Sequence, residues 1–396
     1  MELTPRPDHV PPELVIDFDF LAADKGDDLY QWWGQLHDGP DLFWSPRYGG
    51  HWVPTRYEDI EYALEKFGEF SSRYQTLPKE GRPIPFPPIE TDPPRHNDFK
   101  RLIAPFFSPK SISDLENRAR TMTIDLIEGF RAKGACEFSS EFALHMPIGI
   151  FMWLADLPMA DRLPVLAMAE KMVRGHDAEH LEGAQQAFAY LGRVIEERRA
   201  NPGTDMISAV VTGTVEGGRP LTREEEVGMV TLLMVGGLDT VAGMMGFIMQ
   251  FLASNPGHRR QLVEDPARIK PAIEELMRRH HIANVSRLVV DDTEMRGVKM
   301  KKGDMVLTAT TLAGLDPKHF DDPFTVDFDR ADKKHLVFGK GVHTCIGAFL
   351  ARTELNVFLT EWMKRIPEFE IAPGEKPICL SGRANAVSYL PLRWTP

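Results

Sequence analysis

Hydrophobic positions run almost unbroken from Val227 to Ala253, relieved only by glycines, Thr231, Thr240, Gln250 and one charge, Asp239. Upstream, Thr222-Arg-Glu-Glu225 has the spacing of a capping box, and Asn255-Pro256 ends the run, so the pattern predicts one helix over about residues 223–254. At about 1.5 Å per residue it would be roughly 48 Å long. A helix apolar on every side is either buried in a protein or spans a bilayer. Asp239 would cost roughly 2.5 to 3.5 kcal/mol in lipid, which favours the buried alternative. Gly236 and Gly237 each cost up to about 1 kcal/mol relative to alanine in a helix, so the pair predicts close approach or local widening there.

Elsewhere the patterning is helical from Asp98 to Arg279, and Tyr57 to Phe67 has helical spacing as well. Short strand-like stretches are His51-Trp-Val-Pro54, Ser286 to Val290 and Asp304 to Thr308. The expectation is a mainly α protein with a small β region. Residues 78–94 hold Pro78, Pro83, Pro85, Pro87, Pro88, Pro93 and Pro94, which makes a regular helix or ladder improbable. Irregular loops of that length in compact domains are usually functional. The proline-rich residues 1–20 are expected to wrap the surface.

Composition narrows the class. The 396 residues are 43% hydrophobic, enough for a large core, and no Gly/Ser linker, charge block or repeat divides them. With 58 acidic against 46 basic residues the formal charge is -12, which argues against a nucleic-acid surface. Three cysteines make a disulfide framework improbable and fit a reducing compartment. The N-terminal residues carry acid and proline where a signal or membrane anchor needs a basic start and an apolar stretch, so a soluble cytoplasmic protein without membrane attachment is expected.

The most informative residues are Phe338-Gly-Lys-Gly-Val-His-Thr-Cys-Ile-Gly347. They set Cys345 between glycine turns and an amphipathic stretch that predicts a helix starting at or just after the cysteine. A helix N-terminus stabilises a thiolate, and a thiolate on haem iron favours O–O cleavage. Three other readings are a buried small hydrophobe, a cysteine hydrolase with His343 as base, and zinc binding. Two residues of separation fit a triad base poorly, and Cys136, Cys345 and Cys379 lack paired zinc spacing.

Phe-Gly-x-Gly-x-His-x-Cys-x-Gly resembles the haem-binding signature of the cytochrome P450 monooxygenases. Glu275-Leu-Met-Arg278 resembles the family's K-helix pair, and Asp327-Phe-Asp-Arg330 the segment whose arginine completes that ion cluster. Gly236-Gly-Leu-Asp-Thr240 resembles the oxygen-binding part of the I helix. From about Phe70 to Trp394 the chain is similar to soluble bacterial members close to the camphor-hydroxylating ones. The resemblance implies a single triangular cytochrome P450 domain over 1–396, with haem between the I and L helices. Residues 78–94 would form the B–C substrate loop, 223–254 the I helix and 338–347 the haem-binding loop.

It further implies haem b with Cys345 as axial ligand and metal contact. His343, Arg287 and His96 match propionate donors, and Phe338, Gly339 and Gly236 frame the cofactor. Lys100 stands where arginine is usual, keeping the charge without the bidentate fork. Asp239 and Thr240 match the acid–alcohol pair that delivers protons during dioxygen cleavage; Thr240 could instead bond back to the carbonyl of Gly236. Ile84, Phe86, Val173, Leu232, Val235, Ala283 and Ala384 align with substrate contacts. Ile84 replaces a tyrosine that hydrogen-bonds a ketone in the camphor-hydroxylating members, and Asn284 and Arg383 are alternative polar contacts. The implied activity is hydroxylation of a small apolar terpenoid or norisoprenoid, ionone-like, with O2 and two electrons from a [2Fe–2S] ferredoxin and its NADH-dependent reductase. A peroxide-driven peroxygenase and a non-catalytic haem sensor or carrier are the alternatives. Lys100, Arg101, Lys340 and Arg352 would form a local basic patch for the ferredoxin.

Overall fold

The computed structural model describes residues 3–21, 29–79, 84–174 and 177–396, and the side chains of 173, 174 and 177 lie outside the description. The chain gathers into two compact units. One comprises Met1–Gly81, Gly246–Cys345 and Pro373–Leu390, the other Arg82–Met245, Ile346–Ala372 and Pro391–Pro396.

The first unit carries most of the β structure. Among the described residues, five strands lie in the order Leu42–Ser45, His51–Pro54, Met305–Ala309, Asn284–Val289 and Phe70–Ser71. The pairings are antiparallel except that of Met305–Ala309 with His51–Pro54. Leu42–Ser45, His51–Pro54 and Met305–Ala309 are buried at every position, so their sequences read as apolar runs without alternation. Trp44, Trp52, Phe70, Val289 and Val306 fill the core beside the sheet. The expected strands are present within two residues of their anticipated limits, and the expected early helix is Tyr57–Glu65. Most described residues of the N-terminal segment are exposed or half-buried, as the expected surface wrap requires, and three side chains anchor it. Val10, Phe18 and Phe20 are apolar anchors buried in the core, and Phe18 packs edge-on to Trp33 and Phe43.

The second unit is helical. Pro109–Arg131 runs along Ala348–Arg365, and Phe130, Phe138, Phe142, Phe358 and Trp362 form one aromatic cluster with ring centroids 5.3–6.5 Å apart. A small sheet joins Glu370–Ile371, Pro391–Arg393 and Ala135–Glu137. The long apolar segment forms the helices Arg223–Gly236 and Leu238–Ser254, separated at Gly237. The capping box predicted at Thr222 and Glu225 is present in both directions. The segment is long and apolar enough to cross a bilayer, yet 61% of its most apolar window is buried inside the protein. That burial is what a core helix requires.

Candidate active site

The cysteine loop is built within the first unit. Gly339 and Gly341 take φ of +69° and +70°, a region open to glycine at no steric cost. Gly341 has a second constraint, since a Cβ there would sit 3.0 Å from the backbone of Glu65. The N–H of Gly339 donates to the carbonyl of Leu336 (2.8 Å), and the N–H of Cys345 donates to that of Phe338 (2.9 Å). Those bonds close a loop that leaves Cys345 exposed, whereas Cys136 and Cys379 are buried. The following helix, Ala348–Arg365, starts three residues beyond the cysteine. His343 and Phe338 are half-buried in the same loop.

Glu275 and Arg278 pair at 2.9 Å with both side chains fully buried, and Arg330 Nε reaches the same carboxylate at 3.1 Å. Arg278 also donates to the carbonyls of Gly314, Pro323 and Thr325. This is a buried, saturated cluster, unlike an exposed i,i+3 pair worth a few tenths of a kcal/mol.

In the second unit one face of the helix Arg223–Gly236 carries Gly228, Leu232, Val235 and Gly236, and Asp239 continues its line. Gly228 is buried, Leu232 and Val235 are half-buried, and Gly236 and Gly237 are exposed. A Cβ on Gly237 would meet nothing within 4 Å. Helical order lapses at Gly237, so the single helix expected over 223–254 is divided at the paired glycines, and nothing approaches Gly237 closely. Thr240 Oγ1 donates to the carbonyl of Gly236 at 3.1 Å, so the back-bonding alternative is realised. Using its proton there leaves the hydroxyl oxygen's lone pairs as acceptors. Ile84 and Pro85 approach this helix at Gly228; Ile84 is half-buried, and the following Phe86 is buried.

The remaining candidates separate. Arg287 is 3% exposed in the first unit and donates to the carbonyl of Ser286; His96 is 2% exposed in the second, where burial pushes its imidazole below the ordinary value. Lys100 lies in the same short helix as His96, Arg95–Ile103. Ala283 and Ala384 face each other across an isolated antiparallel bridge. Val173 belongs to the helix Arg162–Arg174, and its side chain lies outside the described residues. Asn284 is not a free polar contact. Its amide donates to Gly382 and Asn385, and its oxygen accepts from Thr311, which absorbs the side chain into a buried network. Arg383 is exposed and reaches the carbonyl of Leu77 at 3.4 Å. Lys340 pairs with Glu61 at 2.9 Å and Arg101 with Asp98 at 3.2 Å, so neither offers the uncompensated charge expected of the basic patch. Sequence reasoning missed His281, which binds the cysteine loop, and Glu354. The latter is a buried carboxyl whose Oε2 lacks a hydrogen-bond partner and whose pKa burial raises to about 8.

An exposed thiol on a glycine-turned loop and a bare glycine shelf on a core helix both fit a flat, thiolate-ligated prosthetic group. The chemistry of the donor set is that of a haem-thiolate protein. The chain belongs to the cytochrome P450 family, whose sequence profile matches residues 150–380. A probable cytochrome P450 127A1 of Sinorhizobium fredii is 35% identical over 406 residues, covering 100% of this chain and 98% of the relative. The crystal structure of CYP101J2 superposes with a TM-score of 0.91 at 38% identity, over 100% of both chains. That of CYP101C1 does so with 0.91 at 36%, over 99% of this chain and 100% of the other. The cytochrome P450 fold, the monooxygenase class and the haem b cofactor expected from the sequence are thereby borne out. The family uses O2, a redox partner and a small substrate.

Proposed function

We propose that this chain hydroxylates a small apolar terpenoid or norisoprenoid, ionone-like, in the cytoplasm, with electrons from a [2Fe–2S] ferredoxin and its NADH-dependent reductase. The observation that carries this reading is the apolar helix face: Leu232 and Val235 lie one and two turns beyond the glycine on which the Ile84 segment rests. Ile84 offers no donor, and the Asn284 amide is already engaged. Such a wall rewards no particular carbonyl and leaves no Asn284 amide to be stranded, so affinity should follow apolar bulk, which favours a thirteen-carbon ionone over compact camphor.

In this reading the whole chain acts as one catalytic domain. Cys345 would ligate the haem iron, with Arg287, His96, His343 and Lys100 serving the propionates and Phe338, Gly339 and Gly236 framing the ring. Haem b supplies the iron centre at which dioxygen is activated. Thr240, held by its bond to Gly236, would accept and pass a proton, and Asp239 beside it would supply one. Phe86, Val173, Ala283 and Ala384 complete the substrate wall, and residues 78–94 form its loop.

The test is a titration of the haem-loaded protein with terpenoids, read by the displacement of iron-bound water in the absorption spectrum, followed by product analysis under 18O2. β-Ionone should bind more tightly than camphor and yield a singly 18O-labelled alcohol with the ferredoxin system. Tight camphor binding with a complete spectral change would count against the apolar wall. Turnover driven by peroxide alone would favour the peroxygenase alternative, and spectral binding without product under either regime a sensor or carrier.

A further inference from the structure

Gly228 occupies a buried position in the second turn of the helix Arg223–Gly236, where glycine is a poor choice unless something approaches closely. The approaching group is backbone. A Cβ on Gly228 would fall far inside van der Waals contact of the Pro85 carbonyl oxygen, and 3.2 Å from Ile84 Cγ2. A carbonyl fixed between two other residues cannot swing aside as a flexible side chain does, so the absent side chain is what lets the loop settle there.

The same helix end holds the other limb of the loop. Arg95, directly after Pro94, pairs with Glu225 at 2.6 Å, and Arg219 pairs with Glu225 from the other side at 2.8 Å. Between the two fastenings the loop bonds to itself, Phe86 N–H to Glu90 and Thr91 Oγ1 to the carbonyl of Pro88. The segment 84–95 is thus clamped to helix residues 225–228 at both limbs.

We infer that Gly228 is a specificity-determining residue: it seats the Ile84–Pro85 segment as an end wall of the substrate space and fixes its distance along the helix from the Gly236–Gly237 shelf. The inference rests on the reading above that the haem lies against that shelf. From Gly228 to Gly236 the helix rises about 12 Å. Subtracting roughly 3.5–4 Å for van der Waals contact at the two ends together leaves about 8 Å of usable length along the helix. That admits a compact molecule of ten to fifteen carbons and excludes a steroid lying lengthwise along the helix.

The experiment compares wild type with Gly228→Ala and Ile84→Ala, all haem-loaded, using β-ionone and testosterone as probes. Spectral dissociation constants are measured for both probes, and limited proteolysis reads the 78–94 loop. Wild type should bind β-ionone and not testosterone. Gly228→Ala adds a methyl group that must lift the loop, so preference should move toward testosterone by about tenfold while cleavage within 78–94 accelerates. Ile84→Ala reduces the wall's bulk with the seat intact, so its preference should move the same way without faster cleavage. An unchanged preference in Gly228→Ala overturns the proposal even if cleavage accelerates, because the loop would then move without bounding the pocket. Should that variant fail to fold, an unchanged preference in Ile84→Ala overturns it. A wild type that binds testosterone as tightly as β-ionone overturns the length limit and leaves the apolar reading standing, whereas a wild type that binds neither overturns both.

Discussion

His281 accepts the backbone N–H of Leu336 at Nε2 (3.0 Å) while its Nδ1–H donates to the carbonyl of Arg278 (2.8 Å). An imidazole that accepts at one nitrogen and donates at the other is neutral and fixed in one tautomer. Burial agrees, holding this histidine well below the ordinary value. Leu336 is where the cysteine loop begins, since its carbonyl receives Gly339. The ring therefore ties the loop to the helix that carries Glu275 and Arg278.

His281→Phe should keep the ring's bulk and leave a buried N–H unpaired, at about 1–3 kcal/mol. We expect faster amide exchange at Leu336 in the haem-free protein and, after loading, loss of the thiolate signature in the reduced carbon-monoxide complex. His281→Gln retains a donor and an acceptor and should restore both. A Phe variant with full protection at Leu336 would show that the loop is held by other contacts.

The Glu275 carboxylate neutralises two arginines, one of them fully buried. Glu275→Ala leaves Arg278 charged in the core, which costs about 3–5 kcal/mol. Chemical denaturation of the haem-free protein should show that loss. Arg330→Ala, which keeps the inner pair intact and removes a side chain only 13% exposed, should lose less. Equal losses would mean that the three groups act as one inseparable unit.

Much of this arrangement was legible in the sequence because it is written in local patterns. The capping box at Thr222 and the glycine-framed cysteine each follow from residues close together in the chain, whereas the paired glycines marked the place of a disturbance without showing that it divides the helix. What was not legible depends on long-range contact. Asn284 reads as a candidate substrate contact until Thr311 and Asn385, distant in sequence, engage its amide. Lys340 reads as a free basic residue until the helix Tyr57–Glu65 presents Glu61 to it. Gly228 sits in an apolar run like any tolerated glycine, and only the fold brings Pro85 onto it.

Thr240 holds its hydroxyl proton on Gly236, so the relay proposed for it depends on the oxygen's acceptor capacity. Thr240→Ala should leave β-ionone affinity unchanged and divert electrons to peroxide, lowering product per NADH several-fold, because proton delivery and not binding is removed. Thr240→Ser keeps the hydroxyl and should retain most of the coupling. Full coupling in the alanine variant would assign proton delivery to another group.

Glu354 supplies a pH test with a defined sign. Its carboxyl lies in the core on Ala348–Arg365, and burial raises its pKa from the ordinary carboxylate range to about 8. Between those two values the folded protein holds a proton that the unfolded chain has released, so stability falls as pH rises through the window and is fully present only below it. At about 1.4 kcal/mol per pH unit, raising the pH from 5.5 to 7.5 should cost wild type on the order of 2–3 kcal/mol that Glu354→Gln does not lose. Both proteins share every other titrating group, so the difference between their denaturation free energies at the two pH values isolates this carboxyl. A difference that stays constant across the range would mean that Glu354 is ionised in the folded protein and has found a cationic partner.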